Sequence, residues 1–318
     1  MTVRPGNNVV ILGAGFIGVS FAAVFSDTGF AVTVVDPEPG RRNAAVKAIA
    51  AQGEAIALAG LQQGLCGPVE IRAEAGMALG AADLVLEAGP EELATKQAIF
   101  AGLLASTRPE AVLLTASSAI PMSQILPDTA DQARCLVAHP VNPPAVLRLI
   151  ELVPAPGTAT RTVVRATEIF GLAGFTPIVL GHEIDGFVLN RLQGAVLREA
   201  YRLVGDGVVD VAGIDAIMRL GLGPRWALSG PFETAELNTP GGILAHADRM
   251  GAAYRRMGEQ RGETGCQWSD ALVAQVDAER RRIIAVQDLP ARAAWRARAV
   301  AALVAFRDDL MASDTDDR

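Results

Sequence analysis

The sequence is poor in most of the residues that mark specialised chemistry. Three cysteines, Cys66, Cys135 and Cys266, are scattered through 318 residues without C-x-x-C spacing. That weighs against a disulfide framework or a zinc site, so no metal is expected, and it fits a reducing, cytoplasmic setting. Histidine occurs three times, and lysine only at Lys47 and Lys96. Positive charge is in deficit overall: the formal net charge is −7, which argues against nucleic acid or an anionic membrane surface as a partner. No run of about 18 apolar residues escapes interruption by charge or glycine, so no membrane span is expected. Met1–Asn8 lacks the apolar core of a signal peptide. No internal repeat is visible.

What is there is a globular chain. Half of its residues are hydrophobic, and its length suits two domains with a large core. The strongest signal comes first. The apolar run Val9-Val10-Ile11-Leu12 ends in Gly13-Ala14-Gly15-Phe16-Ile17-Gly18, a helix-like stretch follows to Thr28, and a second apolar run closes on Asp36. This is the order strand, glycine turn, helix, strand, acid, with the acid 18 residues after the third glycine. Such a unit binds a dinucleotide: Gly13 permits the turn, Gly15 lets the backbone approach a pyrophosphate, and Gly18 lets helix pack on strand. The helix N-terminus, with Phe16 and Ile17 in its first turn, faces the phosphates. Asp36 can accept both ribose hydroxyls and repels a 2′-phosphate, which favours NAD over NADP. Arg41 and Arg42 follow closely and read as a solvated first helical turn or as a counterweight to Asp36.

Further strands are expected at Val69–Arg72, Asp83–Ala88, Ala111–Thr115, Arg134–Ala138, Leu147–Val153 and Thr176–Leu180. Ala44 to Gly64 reads as helical, with a break near Gly60. Helices are also expected from about Leu93 to Ser106 and from Ala159 to Ala173. From Glu183 onward the periodicity is mainly helical, with stripes at Phe187–Leu203 and Ala294–Leu310 and a frayed tail at Asp314–Arg318. The expected architecture is α/β: a doubly wound dinucleotide-binding domain over residues 1–182, then an all-α domain over 183–318.

In an open parallel sheet, ligands bind beyond the carboxyl ends of the strands. Glu91, Ser118 and His139 all fall in that zone. His139 precedes a proline-rich loop, where an imidazole suits proton transfer near neutral pH or serves a purely structural purpose. Glu151, on the adjoining strand, can hold the ring in one tautomer and stabilise its charged form. His182 lies in the linker, and His246 is expected between helices. Arg225 is expected in a glycine-rich loop, Gly221-Leu222-Gly223-Pro224-Arg225-Trp226. There it can fork onto a carboxylate or form a helix-end ion pair, and Trp226 can line a pocket or an interface.

Taken together, these stretches resemble the 3-hydroxyacyl-CoA dehydrogenase superfamily, in the branch that holds L-gulonate 3-dehydrogenase and the lens λ-crystallins. The resemblance is carried by the glycine turn, Glu87 to Phe100, Ser117-Ser118, Ala138-His139-Pro140-Val141-Asn142-Pro143-Pro144, Leu149 to Pro154, Gly186 to Gln193, and Gly221 to Thr234. It implies a His139–Glu151 dyad, with Ser118 and Asn190 bonded to the reacting oxygen. It implies NAD as cofactor, with Asp36 on the ribose and Glu91 and Lys96 near the nicotinamide half, and a homodimer formed through the helical domain. The implied reaction is oxidation of a small 3-hydroxy carboxylate, L-gulonate first, with His139 as general base and Arg225 on the carboxylate. The segment from Arg41 to Arg72 has few basic residues for the phosphates of CoA. The alternatives are a 3-hydroxyacyl-CoA or carnitine dehydrogenase, or a crystallin-like structural protein that binds NAD without turnover.

Overall fold

The computed structural model describes residues 7–263 and 269–295, with positions 299, 303 and 306. Cys266, Met1 to Gly6, most of the expected Ala294–Leu310 stripe and the Asp314–Arg318 tail lie outside the described residues. The chain divides into two compact units, Met1–Leu197 and Arg198–Arg318.

The first unit runs β1 (Asn8–Leu12), α1 (Phe16–Asp27), β2 (Ala31–Val35), α2 (Pro39–Leu58), β3 (Val69–Arg72), α3 (Ala78–Ala81), β4 (Leu84–Glu87), α4 (Leu93–Ser106), β5 (Val112–Thr115), α5 (Met122–Ile125), β6 (Cys135–Pro140), β7 (Leu149–Pro154), α6 (Thr160–Leu172) and β8 (Thr176–Val179). It ends in the first turns of α7 (Phe187–Gly205), which continues into the second unit. The eight strands form one sheet in the order β3-β2-β1-β4-β5-β6-β7-β8. The order reverses between β1 and β4, the doubly wound arrangement expected from the sequence. All pairings are parallel except β6 with β7.

Central strands such as Leu84–Glu87 and Val112–Thr115 are buried at every position, because helices cover both faces of the sheet. Side-chain alternation separates the two core layers. Val9, Ile11, Leu84, Leu86, Leu136 and Ala138 pack with α1 and α6. Val10, Val85, Leu113, Cys135 and Val137 pack with Phe100 and Leu103 of α4 and with α5. The first layer holds an aromatic cluster: Phe170 lies with ring centroids 6.1 Å from Phe21, 5.9 Å from Phe25 and 5.6 Å from Phe175.

Three local expectations change. Ala44–Gly64 is not two helices: α2 starts earlier, at Pro39, and ends before Gly60, whose positive φ of 68° closes it. His139 lies within β6 rather than after it. The loop expected at Gly221–Trp226 is helical.

The second unit contains α8 (Val211–Ile217), capped by the Asp210 side chain on the Gly213 amide. A π-turn over Met218–Leu222 then runs directly into α9 (Gly223–Leu237). Pro224 occupies the first turn of α9, where its missing N–H costs nothing, so the glycines here do not open a loop. The non-helical Gly230 breaks α9 just before Pro231. α10 (Gly242–Gln260) and α11 (Asp270–Ile283) follow, and His246 lies inside α10 rather than between helices. The buried Glu236 of α9 is held by Arg280 at 2.8 Å and by Arg281 of α11.

Truncating the centre of the aromatic cluster tests the first core layer. Phe170→Ala is expected to lower stability by about 3–5 kcal/mol, read from the urea midpoint. A shift under about 1 kcal/mol would show that the cluster contributes little.

Candidate active site

The parallel strands end at one edge of the sheet, and the candidate residues collect there. At the end of β1, Gly13 has φ 112°, and a Cβ on it would lie 2.6 Å from the Ala88 carbonyl oxygen. A Cβ on Gly18 would lie 1.9 Å from the Gly13 carbonyl oxygen. Only glycine fits at either position. Gly15 differs: a Cβ there would meet no protein atom within 4 Å. The space it leaves open faces the start of α1, whose first turn has no side-chain cap, so the amides around Phe16 and Ile17 suit an anion. This cradle fits the pyrophosphate of a dinucleotide. Asp36, 3% exposed at the end of β2, accepts from the Ala14 and Glu38 amides, both at 2.9 Å. The carboxylate therefore ties the glycine turn to β2. Arg42 donates to the Asp36 and Pro37 carbonyls, and Arg41 pairs with Glu38 at 2.9 Å.

His139 and Glu151 face each other directly in the antiparallel β6–β7 register. Both alternate onto the α4 side of the sheet. His139 Nδ1 lies 2.7 Å from Glu151 Oε2, and both residues are buried. The other carboxylate oxygen accepts from the amides of Val188 (2.9 Å) and Leu189 (3.0 Å) in the first turn of α7. Burial alone would raise the Glu151 carboxyl. The His139 hydrogen bond, the two amides and the charge of the ring outweigh it and hold the group below its usual range. An ionised Glu151 accepts a hydrogen bond from Nδ1–H of His139, which turns Nε2 away from the carboxylate.

The helical stripe expected from Phe187 is α7, but the backbone conformation that starts it was not legible in the sequence. Gly186 (φ 72°) and Phe187 (φ 50°) take consecutive left-handed conformations. A non-glycine residue there is uncommon. Phe187 is fully buried, with its ring 5.5 Å from the His139 ring. The turn it starts aims the Val188 and Leu189 amides at Glu151. One residue on, Asn190 Nδ2 donates to the Ser118 carbonyl at 2.9 Å. A single helical turn thus bonds both the dyad and the Ser118 loop.

On the neighbouring strand ends, Glu87 is fully buried. It accepts from Lys96 at 2.8 and 3.0 Å, from the Thr115 hydroxyl at 2.6 Å and from the Gly89 amide at 2.7 Å. Lys96 is 1% exposed and also reaches Glu91 at 3.3 Å. Glu87 and Thr115 escaped the sequence reading as site residues. A charged residue closing an otherwise apolar strand was the available signal. Arg225 lies in the second unit, in the first turn of α9. It lines a cavity of about 470 Å³ together with Trp226, Phe232, His246 and Tyr254. Its Nε is buried with no hydrogen-bond partner among the described residues. Those residues contain no cluster able to hold a metal ion.

The dyad carries a pH prediction. Because folded Glu151 lies below the unfolded carboxylate value of about 4.3, its contribution to stability is complete above that value and is lost as pH falls through the folded one. Urea midpoints for wild type should therefore fall more steeply below about pH 4.5 than those of Glu151→Gln. Parallel curves would refute the coupling.

Comparison with known proteins agrees with this geometry. Residues 8–184 match the family model of the 3-hydroxyacyl-CoA dehydrogenase NAD-binding domain, and residues 186–284 match that of its C-terminal domain. A λ-crystallin homolog from Bos taurus is 37% identical over 308 residues, covering 92% of each chain. An L-carnitine dehydrogenase from Streptomyces griseus is 36% identical over 239 residues, covering 75% of this chain and 71% of its own. Among solved structures, the NAD⁺-dependent 5-formyl-3-hydroxy-2-methylpyridine 4-carboxylic acid 5-dehydrogenase shares the fold, with a TM-score of 0.72 at 23% identity. That match covers 89% of this chain and 98% of the other. With a glycine cradle that fits a dinucleotide and both family domains matched in order, the chain belongs to the 3-hydroxyacyl-CoA dehydrogenase family and is an NAD-dependent oxidoreductase.

Proposed function

We propose that the enzyme oxidises the 3-hydroxyl of a small free 3-hydroxy carboxylate, L-gulonate being the first candidate. The observation that carries this reading is the buried His139–Glu151 pair at the carboxyl edge of the sheet that also carries the dinucleotide cradle. NAD⁺ supplies the hydride acceptor when bound. Gly13, Gly15, Gly18 and the first-turn amides of Phe16 and Ile17 hold its pyrophosphate. Asp36 holds the adenosine ribose, and Glu91 and Lys96 lie toward the nicotinamide half. His139 Nε2 accepts the substrate hydroxyl proton. Glu151, already ionised and fixed by two amides, stabilises the imidazolium that results. Ser118 and Asn190 bond the reacting oxygen, a contribution typically worth a few kcal/mol per donor.

Arg225 is the residue assigned to the substrate carboxylate. Its buried, unpartnered Nε supports that role, since a guanidinium among apolar side chains gains from an anionic partner. A CoA thioester offers no carboxylate. In the Arg41–Arg72 region, Arg41 pairs with Glu38, Arg42 with backbone carbonyls and Arg72 with Glu70. Those pairings favour the free acid. A carnitine-like substrate is the second reading, favoured by Trp226, Phe232 and Tyr254 in the Arg225 cavity, whose ring faces suit a quaternary ammonium. The proposal extends to a cytoplasmic homodimer assembled through the helical unit. Exposed Val211, Ile217 and Leu220 in that unit support it.

NADH formation measured with L-gulonate, 3-hydroxybutyrate, L-carnitine and 3-hydroxybutyryl-CoA decides among these substrates. Turnover of the CoA ester alone would overturn the proposal. With the best substrate, His139→Ala is expected to lower kcat by about 10²–10⁴-fold while NADH binding, read by fluorescence titration, persists. Near-wild-type turnover would remove His139 as the base. Arg225→Ala is expected to raise KM for a free acid by about tenfold or more. An equal rise with the CoA ester would remove the carboxylate role.

A further inference from the structure

The roles above leave Ser117 without a function, although it is 2% exposed at the edge of the site. We propose that Ser117 and Glu91 are positioning residues that fix the Ser118 peptide and so aim the Ser118 hydroxyl. The proposal rests on the reading of Ser118 as a group that holds the reacting oxygen.

The hydrogen bonds of the loop after β5 converge on two atoms. Glu91 Oε1 accepts from the Ser117 hydroxyl at 2.6 Å, the Ser118 amide at 3.0 Å and the Ala119 amide at 3.1 Å. Ser117 Oγ accepts in turn from the Ala119 amide at 3.3 Å and the Ile120 amide at 2.7 Å. The opposite side of the Ser118 peptide is held by Asn190 on its carbonyl, at 2.9 Å. The backbone of Ser118 is therefore bonded through both its N–H and its C=O, while its side chain stands exposed beyond them. Three donors on one oxygen suit an ionised Glu91, and its surroundings favour that form. Burial pushes the carboxyl up, but the Ser117 hydroxyl, the Lys96 charge and the Ser118 amide bring it below its ordinary value.

Glu91 is itself anchored. Its second oxygen lies 3.3 Å from Lys96, whose ammonium also bonds both oxygens of the fully buried Glu87. Glu87 takes the Thr115 hydroxyl from the strand that leads into the loop. The chain of bonds runs from two strand ends through one buried cation to one carboxylate and then to the Ser118 peptide. At 1% exposure, Lys96 acts through Glu91.

If Ser117 acts only by aiming the Ser118 hydroxyl, its loss costs nothing once that hydroxyl is gone, whereas a contact of its own with the cofactor would also weaken NADH binding. The test is a double-mutant cycle of Ser117→Ala and Ser118→Ala in the full chain. It reads kcat, KM for the hydroxy acid, Kd for NADH and Tm. Ser117→Ala is expected to lower kcat by about ten- to a hundredfold with Kd for NADH unchanged, and to cost nothing further in the Ser118→Ala background. The same non-additivity is expected with Glu91→Gln, which keeps an acceptor oxygen and should fold if Ser117→Ala does not. Losses that multiply in the double variants, or a Kd for NADH that weakens in step with kcat in Ser117→Ala, would overturn the positioning role. If Ser118→Ala alone leaves kcat intact, the assignment of Ser118 falls first, and the positioning role falls with it.

Discussion

Glu151 is a carboxylate placed where water does not solvate it, and much of the site follows from how it is satisfied. A buried charge without partners costs several kcal/mol or gives up its ionisation. Glu151 avoids both through three partners from different parts of the chain: His139 across the β6–β7 pair and the Val188 and Leu189 amides of α7. Meeting that need fixes a strand register and a helix start at once. Slipping β7 by one residue would turn Glu151 to the opposite face of the sheet, and a later start to α7 would leave one carboxylate oxygen without donors.

The same solution recurs along the carboxyl edge of the sheet. Asp36 closes β2 and holds the glycine turn by the Ala14 amide. Glu87 closes β4 and is held by Lys96, Thr115 and Gly89. Glu91 gathers the donors of the loop after β5. In each case an acid follows or ends an apolar strand and uses its lone pairs on backbone amides or on a single buried cation. Charge that would be expensive in a core becomes a means of fixing loops. It also stands in place beforehand, so the proton uptake proposed for His139 would need no reorganisation.

The parts legible in the sequence were those governed by local rules. The glycine turn, the apolar strands and the acid after β2 follow from period, burial and backbone conformation, and the doubly wound sheet follows from their order. The His139–Glu151 pairing was legible because 12 residues of separation across a short proline loop suit two adjoining strands. The missed features depend on tertiary contacts. Phe187 in a left-handed conformation has no local signature beyond Gly186 before it. Glu87 read as the end of a strand because nothing in the sequence says that Lys96 would turn inward to meet it. Gly221–Trp226 read as a loop on composition. It is helical because a π-turn absorbs the glycines and Pro224 sits in a first turn, where proline is tolerated.

The first turn of α7 explains why the dyad and the Ser118 loop need not be set independently. Val188 and Leu189 bond the carboxylate that orients His139, and Asn190 bonds the carbonyl of Ser118. Three consecutive residues on one rigid element therefore relate the His139–Glu151 pair to the loop that carries Ser118. A helix turn moves as a unit, so a displacement of α7 would shift both together and preserve their spacing better than two separate loops could. Among the groups this turn relates are Nε2 of His139, turned away from Glu151 and in the proposed reaction the proton acceptor, and the exposed side chain of Ser118, which can donate a hydrogen bond. A single ligand atom that gives up a proton to one and accepts from the other is a hydroxyl oxygen.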